Sequence, residues 1–224
     1  MKFEQIIRKT HYLATPLYEH LPLGLFPHRP LKFKAYCIGM AKTGTTSIHM
    51  IFRSHYRSAH EAESGFLCRK ILAFLSSKID RNQFIQYLKH RDQRLNLEMD
   101  SSALNYFVLD ILVKEFSEAK FILTIRDCYS WLDSAINYYP SIPAISYTHW
   151  LRRHCRAFFK FVNEMDKLNY ANYAKEEQVL AANKFFPLEV YFSKWAKHTN
   201  KVLNTVPTDR LLVVKTSEIN QSIP

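Results

Sequence analysis

The sequence predicts a three-layer α/β/α domain around a central parallel sheet of about five strands. Three observations carry this. Short apolar runs alternate along the chain with longer segments of helical period. One run, KFILTI at 120–125, is nearly continuous in apolar residues, as in strands buried on both faces of a parallel sheet. A glycine-bearing loop joins the first apolar run directly to an amphipathic segment, which reads as strand, loop and helix in succession.

Taken in order, residues 1–33 are rich in Pro, Tyr and His and read as an irregular arm, with the domain over 34–224. The first strand is Lys34-Ala-Tyr-Cys-Ile-Gly39, followed by the loop Met40-Ala-Lys-Thr-Gly44-Thr-Thr. Behind the loop, Ile48, Ile51, Phe52 and His55 share one face of a helix. RSAHE (57–61) is a short second strand, 66–90 is helical, and LNLEMD (95–100) is a third strand ending in Asp100. Leu104, Phe107, Val108, Ile111 and Leu112 repeat at helical spacing and predict a helix over 103–116. KFILTI is the fourth strand. Residues 145–203 are mostly helical, with Leu188, Tyr191, Phe192 and Trp195 on one face, and RLLVVK (210–215) is the last strand. The chain ends nine residues later without a covering helix, so the expectation is a domain truncated at its C-terminus.

Composition narrows the function classes. Hydrophobic residues make up 47% and charged residues 23%, so the chain is globular, and with only 4 Gly and 9 Pro it is not collagen-like or low-complexity. Lys and Arg outnumber Asp and Glu by 31 to 20, a net charge of +11 that favours anionic partners. A solvated basic surface accounts for the same charge. Cys37, Cys68, Cys128 and Cys155 include no CxxC pair, which argues against both a metal site and a disulfide framework and for reduced thiols. The first twenty residues lack a secretory signal, and no run approaches the roughly 18 apolar residues of a membrane span. A soluble, cytoplasmic protein is expected.

The loop carries the clearest chemistry. A strand–loop–helix junction brings backbone N–H groups and the positive helix end to one point, where anions bind. Gly39 and Gly44 let the backbone approach a phosphate; Thr43, Thr45, Thr46 and Ser47 add hydroxyls; Lys42 reaches an outer oxygen. The glycines have the spacing of the nucleoside-triphosphate loop, G-x-x-x-x-G-K-[ST], but Thr45 follows the second glycine and the lysine sits ahead of it. That difference points away from a Mg²⁺-bound triphosphate and toward another phosphate ester.

Gly-Met-Ala-Lys42-Thr-Gly-Thr-Thr46-Ser resembles the 5′-phosphosulfate loop of sulfotransferases that use 3′-phosphoadenosine 5′-phosphosulfate (PAPS), whose common form is Lys-Ser/Thr-Gly-Thr-Thr. Downstream, KFILTI-Arg126-Asp-Cys-Tyr-Ser-Trp-Leu-Asp-Ser134 is similar to that family's 3′-phosphate motif: a buried strand, an Arg, and a Ser eight positions on. Arg126 offers a planar donor fork and Ser134 a hydroxyl two helical turns later. The family usually has Pro where Cys128 stands. An ordinary ion pair of Arg126 with Asp127 is the competing account. The segments EMDSSALNYFVLDILVKEFSEAKFILTIRD and VPTDRLLVVKTSEI extend the resemblance over roughly 34–218.

The resemblance implies a P-loop NTPase-like fold and transfer of the sulfuryl group of PAPS to a hydroxyl or amine, leaving adenosine 3′,5′-bisphosphate, without a metal. Lys42 would stabilise charge on the 5′-phosphate. In related enzymes a His or Glu from the end of the second strand acts as base, here Glu61 first and His60 second. Nearby cations would lower the pKa of Glu61 and burial would raise it. In the other account His60 packs in the core while Glu61 and Glu63 are solvated. Asp100 either orients the acceptor or, with Ser101 or Ser102, caps the helix over 103–116. Trp131 either flanks the nucleotide or packs its helix, and 145–195, including LNYANYAK (168–175), would wall the acceptor site. A final segment often completes the nucleotide pocket in such proteins.

The partners expected are the nucleotide donor and a small-molecule or glycan acceptor, with a carbohydrate or lipid preferred. Nucleic acid is not expected, while peripheral membrane contact and the oligomeric state stay open. Two other functions compete: a P-loop kinase or NTPase with Asp100 as a metal ligand, and an inactive basic binding module on the same fold.

Overall fold

In the computed structural model, the residues described are 29–138, 173–183 and 185–219. Most of the arm over 1–33, much of the helical region over 145–203 and most of LNYANYAK lie outside them.

The strands are β1 (Ala35–Cys37), β2 (Ser58–His60), β3 (Met99–Ser101), β4 (Lys120–Ile125) and β5 (Leu211–Lys215). They form one parallel sheet in the order β2-β3-β1-β4-β5. From β1 the chain goes out to β2, returns through β3, and then builds β4 and β5 on the other flank. The carboxyl ends of β1 and β4 therefore open a crevice at the switch of direction, where ligands of open α/β sheets bind.

Seven α-helices lie among the described residues: α1 (Thr45–Phe52), α2 (Ser64–Leu75), α3 (Arg81–Leu95), α4 (Leu109–Glu115), α5 (Cys128–Tyr138), α6 (Gln178–Ala182) and α7 (Leu188–Thr205). Strand residues alternate between the two faces of the sheet. Tyr36, Phe121 and Leu123 face a core with Leu67 and Ile71 of α2, Phe84 and Leu88 of α3, Leu109 and Leu112 of α4, and Val202 of α7. Ala35, Cys37, Met99 and Ile122 face the other way, against Ile48 of α1. A third cluster joins Met40 of the loop to Trp131, Leu132 and Ala135 of α5 and Tyr191 of α7. The three-layer parallel architecture read from the sequence is thus the fold of the chain. No helix among the described residues is long and apolar enough to cross a membrane.

Several boundaries differ from the sequence reading, each for a local reason. The helix expected over 66–90 is two helices. Asp80 accepts from the Gln83 N–H at 2.8 Å while the Gln83 side chain accepts from the Asp80 N–H at 2.9 Å, a capping box that starts α3 afresh. Then α3 runs on to Leu95 and stops at Asn96, whose φ of 44° is left-handed. Asparagine tolerates that conformation. This takes Leu95 and Asn96 out of the expected third strand, and β3 begins only at Met99. The helix over 103–116 opens as a 3₁₀ segment, Ala103–Val108, before α4. His55 lies beyond the end of α1.

Candidate anion-binding site

The loop after β1 is shaped by contacts as much as by its glycines. A Cβ on Gly39 would fall 1.9 Å from Thr124 Oγ1 and 2.7 Å from Thr43 Oγ1, so only glycine lets the loop leave the sheet this close to β4. Lys42 has φ 73° and Gly44 φ 104°, both left-handed. Turns of this kind gather successive N–H groups into an anion-binding concavity. A non-glycine residue held at such a φ costs roughly 1–2 kcal/mol, so the surroundings must enforce it at Lys42.

The first helical bond of α1 runs from the Ile48 N–H to Gly44 O at 3.1 Å, and Gly44 offers no side-chain cap. The N–H groups of Thr45, Thr46 and Ser47 consequently have no partner within the helix and lie at its positive end. Thr46 and Ser47 are exposed and Thr45 is buried. Thr43 differs from the other three. It is 2% exposed, its hydroxyl meets Met40 O at 2.7 Å and Thr124 Oγ1 at 2.8 Å, and its N–H also donates to Met40 O. Its donors serve the shape of the loop.

Arg126 leaves the carboxyl end of β4, and its Nη1 lies 3.5 Å from Lys42 O. The two motifs, 84 residues apart in the chain, therefore meet at neighbouring strand ends. Asp127 caps α5: its carboxylate accepts from the Ser130 N–H at 2.9 Å and its carbonyl from the Trp131 N–H at 2.9 Å. The Ser130 bonds, foremost the backbone N–H, hold its carboxyl below the usual range, with Arg126 adding less. Cys128 is the first residue of α5, the position where proline is best tolerated, so its exchange for the family's proline leaves the helix start in place. Ser134 is half-buried on the second turn. Trp131 is 3% exposed, packed against Tyr191 with ring centroids 6.2 Å apart.

The segment after β5 supports the loop from below. Thr216 Oγ1 donates to Thr43 O at 2.6 Å and approaches Ile125 O at 3.1 Å. A Cβ on Gly44 would come within 2.6 Å of Ile219 Cδ1, so that glycine answers a need for space as well as for φ. Sequence reasoning missed Thr216 and Ile219. It also missed Thr124, for which a hydroxyl inside an apolar strand two residues before Arg126 was the available signal.

The ends of β2 and β3 hold the acidic residues. His60 Nε2 lies 3.2 Å from Thr45 Oγ1 and 3.3 Å from Thr46 Oγ1, against the start of α1. Glu61 accepts from the Ser102 hydroxyl at 2.7 Å and from the Ala103 N–H at 2.9 Å. Burial pushes its carboxyl up, and those two hydrogen bonds partly offset the rise. Glu63 is buried and takes two hydrogen bonds from the Arg94 guanidinium. The competing account in which both glutamates are solvated does not hold: each is bound inside the fold.

Asp100 is 1% exposed and pairs with Arg91 at 2.7 Å, and Ser102, not Asp100, caps the 3₁₀ segment by accepting from the Leu104 N–H. The role of Asp100 as a helix cap is therefore also corrected. Pairing with Arg91 equally neutralises the charge that a metal-binding aspartate would need. Among the described residues no group of three or more His, Cys, Asp and Glu is placed to hold a metal ion.

The arrangement brings the start of α1, the backbone of Lys42 and the side chain of Arg126 together at neighbouring strand ends. A family model described as a sulfotransferase domain matches residues 34–219. No curated protein matches the chain.

Proposed function

The chain belongs to the sulfotransferase domain family, and on that premise we propose that it transfers the sulfuryl group of PAPS to a hydroxyl or amine of its acceptor. Family membership supports sulfuryl transfer in general. The observation that carries it is the approach of Arg126 Nη1 to Lys42 O, which sets the two motifs side by side.

In this reading the N–H groups of Thr45, Thr46 and Ser47, the exposed hydroxyls of Thr46 and Ser47, and Lys42 hold the 5′-phosphosulfate. Arg126 and Ser134 hold the 3′-phosphate. Gly44 supplies the turn, and Thr43 shapes the loop from within. The acceptor oxygen or nitrogen forms a bond to sulfur as the bond from sulfur to the 5′-phosphate oxygen breaks. Charge then builds on the 5′-phosphate, where fixed donors stabilise it without reorganising, an effect worth about 3–4 kcal/mol for one well-placed donor.

The acceptor proton needs a base. Of the two candidates, the geometry supports His60, whose Nε2 sits beside the start of α1. Both oxygens of Glu61 already accept hydrogen bonds, so Glu61 fits better as the residue that fixes Ser102 and the turn behind His60. A sugar or lipid hydroxyl is the acceptor class proposed, in the cytoplasm, with an acidic membrane surface as a secondary contact for this basic chain.

Isothermal titration with adenosine 3′,5′-bisphosphate tests the reading. Magnesium-independent binding is expected, weakened at least tenfold in each of Lys42→Ala and Arg126→Ala. Unchanged affinity in both variants, or Mg²⁺-dependent ATP binding that displaces the bisphosphate, would overturn it.

A further inference from the structure

We propose that Trp131 and Trp195 are positioning residues, each fixing the peptide orientation of one cradle through its indole N–H. This rests on the assignment of the loop to the 5′-phosphate and of Arg126 to the 3′-phosphate.

An indole N–H is a donor with no acceptor capacity, and a buried one needs a partner. Trp131 Nε1 donates to Ala41 O at 3.0 Å, across 90 residues of sequence. Trp195 Nε1 donates to Arg126 O at 2.9 Å, across 69. Neither bond goes to a side chain or to its own helix. Both reach the backbone of the residue that precedes or carries a cradle's cation. The two rings belong to the same aromatic cluster, with Tyr191 and Met40, wedged between α5, α7 and the loop.

The consequence follows from peptide geometry. Every described peptide bond is trans, so the C=O and N–H of one peptide unit point opposite ways. With Ala41 C=O drawn onto α5, the Lys42 N–H faces away from α5. With Arg126 C=O drawn onto α7, the Asp127 N–H faces away from α7. A flipped peptide at either place would turn a carbonyl oxygen, a partial negative charge, toward a bound phosphate. It would also strand the indole N–H of Trp131, which is buried, or of Trp195, which is half-buried, and either is costly.

The same device recurs along the loop. Lys42 O receives Arg126 and Thr43 O receives Thr216, so three successive loop carbonyls accept from side chains outside the loop. This external pinning is what holds Lys42 at its left-handed φ of 73°.

A packing role alone makes a different prediction, and two probes separate them. Trp→Phe at 131 or 195 keeps an aromatic ring and deletes the N–H. Incorporation of 3-benzothienylalanine at the same positions keeps the bicyclic shape as well, so folding is preserved even where phenylalanine leaves a gap. Affinities for adenosine 5′-monophosphate and adenosine 3′-monophosphate are measured by titration. Both substitutions at 131 should weaken the 5′-monophosphate about three- to tenfold and spare the 3′-monophosphate, and both at 195 should do the reverse, as expected for loss of one hydrogen bond. Benzothienyl variants that bind as the unsubstituted protein does, or equal losses for both nucleotides, would overturn the proposal. If the unsubstituted protein binds neither nucleotide, the proposed function falls, and this inference with it.

Discussion

The two ends of the sheet's carboxyl edge handle charge in opposite ways. At β1 and β4 Lys42 and Arg126 come together at neighbouring strand ends, and the first N–H groups of α1 have no helical partner. At β2 and β3 the charges are consumed within the fold, Asp100 by Arg91 and Glu63 by Arg94, while Glu61 ties down Ser102 and Ala103. In the proposed reading the first region leaves the helix-terminal N–H groups for an anion. The second keeps buried charge only because each group is paired, and it supplies the rigid back wall against which His60 and the loop are set.

That contrast is open to attack by substitution. The largest effect is expected from Arg91→Met, which leaves Asp100 buried without its partner. Breaking such a pair costs about 3–5 kcal/mol, so the urea midpoint should fall sharply, whereas Lys42→Ala should change the stability by less than about 0.5 kcal/mol and leave the midpoint nearly in place. Equal midpoints for the two variants would erase the distinction.

Next in size is a pH effect at His198, a buried residue of α7. Its ring is 4.3 Å from that of Tyr106, and burial pushes its pKa down to about 4. The unfolded chain therefore takes up this proton first, near pH 6.5. The stability tied to neutral His198 is complete above that pH and is lost as pH falls from 6.5 to about 4. The full loss is about 3 kcal/mol. Urea titrations at pH 7 and 4.5 should show a smaller drop for His198→Asn than for the unsubstituted protein. An identical drop would remove His198 from the account.

The smallest effect sharpens the loop side. Thr216→Val keeps the side-chain shape but frees Thr43 O, and should weaken adenosine 3′,5′-bisphosphate about three- to tenfold by titration. No change would mean that the loop holds its shape without this support.

The same comparison explains what could be read in advance. The loop, Arg126 and β4 are legible because their signals are local: glycine spacing, an apolar run, and a strand end that leads into a helix. The parallel sheet follows from the alternation of elements, whereas the strand order does not. What escaped was whatever depends on a distant partner. Asp100 looked like a helix cap until Arg91 came across from α3. The pKa of Glu61 turned on whether cations or burial prevailed, and burial prevailed. Thr216 and Trp195 carry no motif and act on a loop far away in sequence. The broken helix at Ser76–Asp80 had a readable sign in the Asp80–Gln83 pair, which the apolar period masked.

The most direct test of the central claim is a crystal structure of the chain with adenosine 3′,5′-bisphosphate. The account predicts the 5′-phosphate on the amides of Thr45, Thr46 and Ser47 beside Lys42, with the 3′-phosphate on Arg126 and Ser134. A nucleotide bound elsewhere, or with its two phosphates exchanged between the cradles, would contradict it.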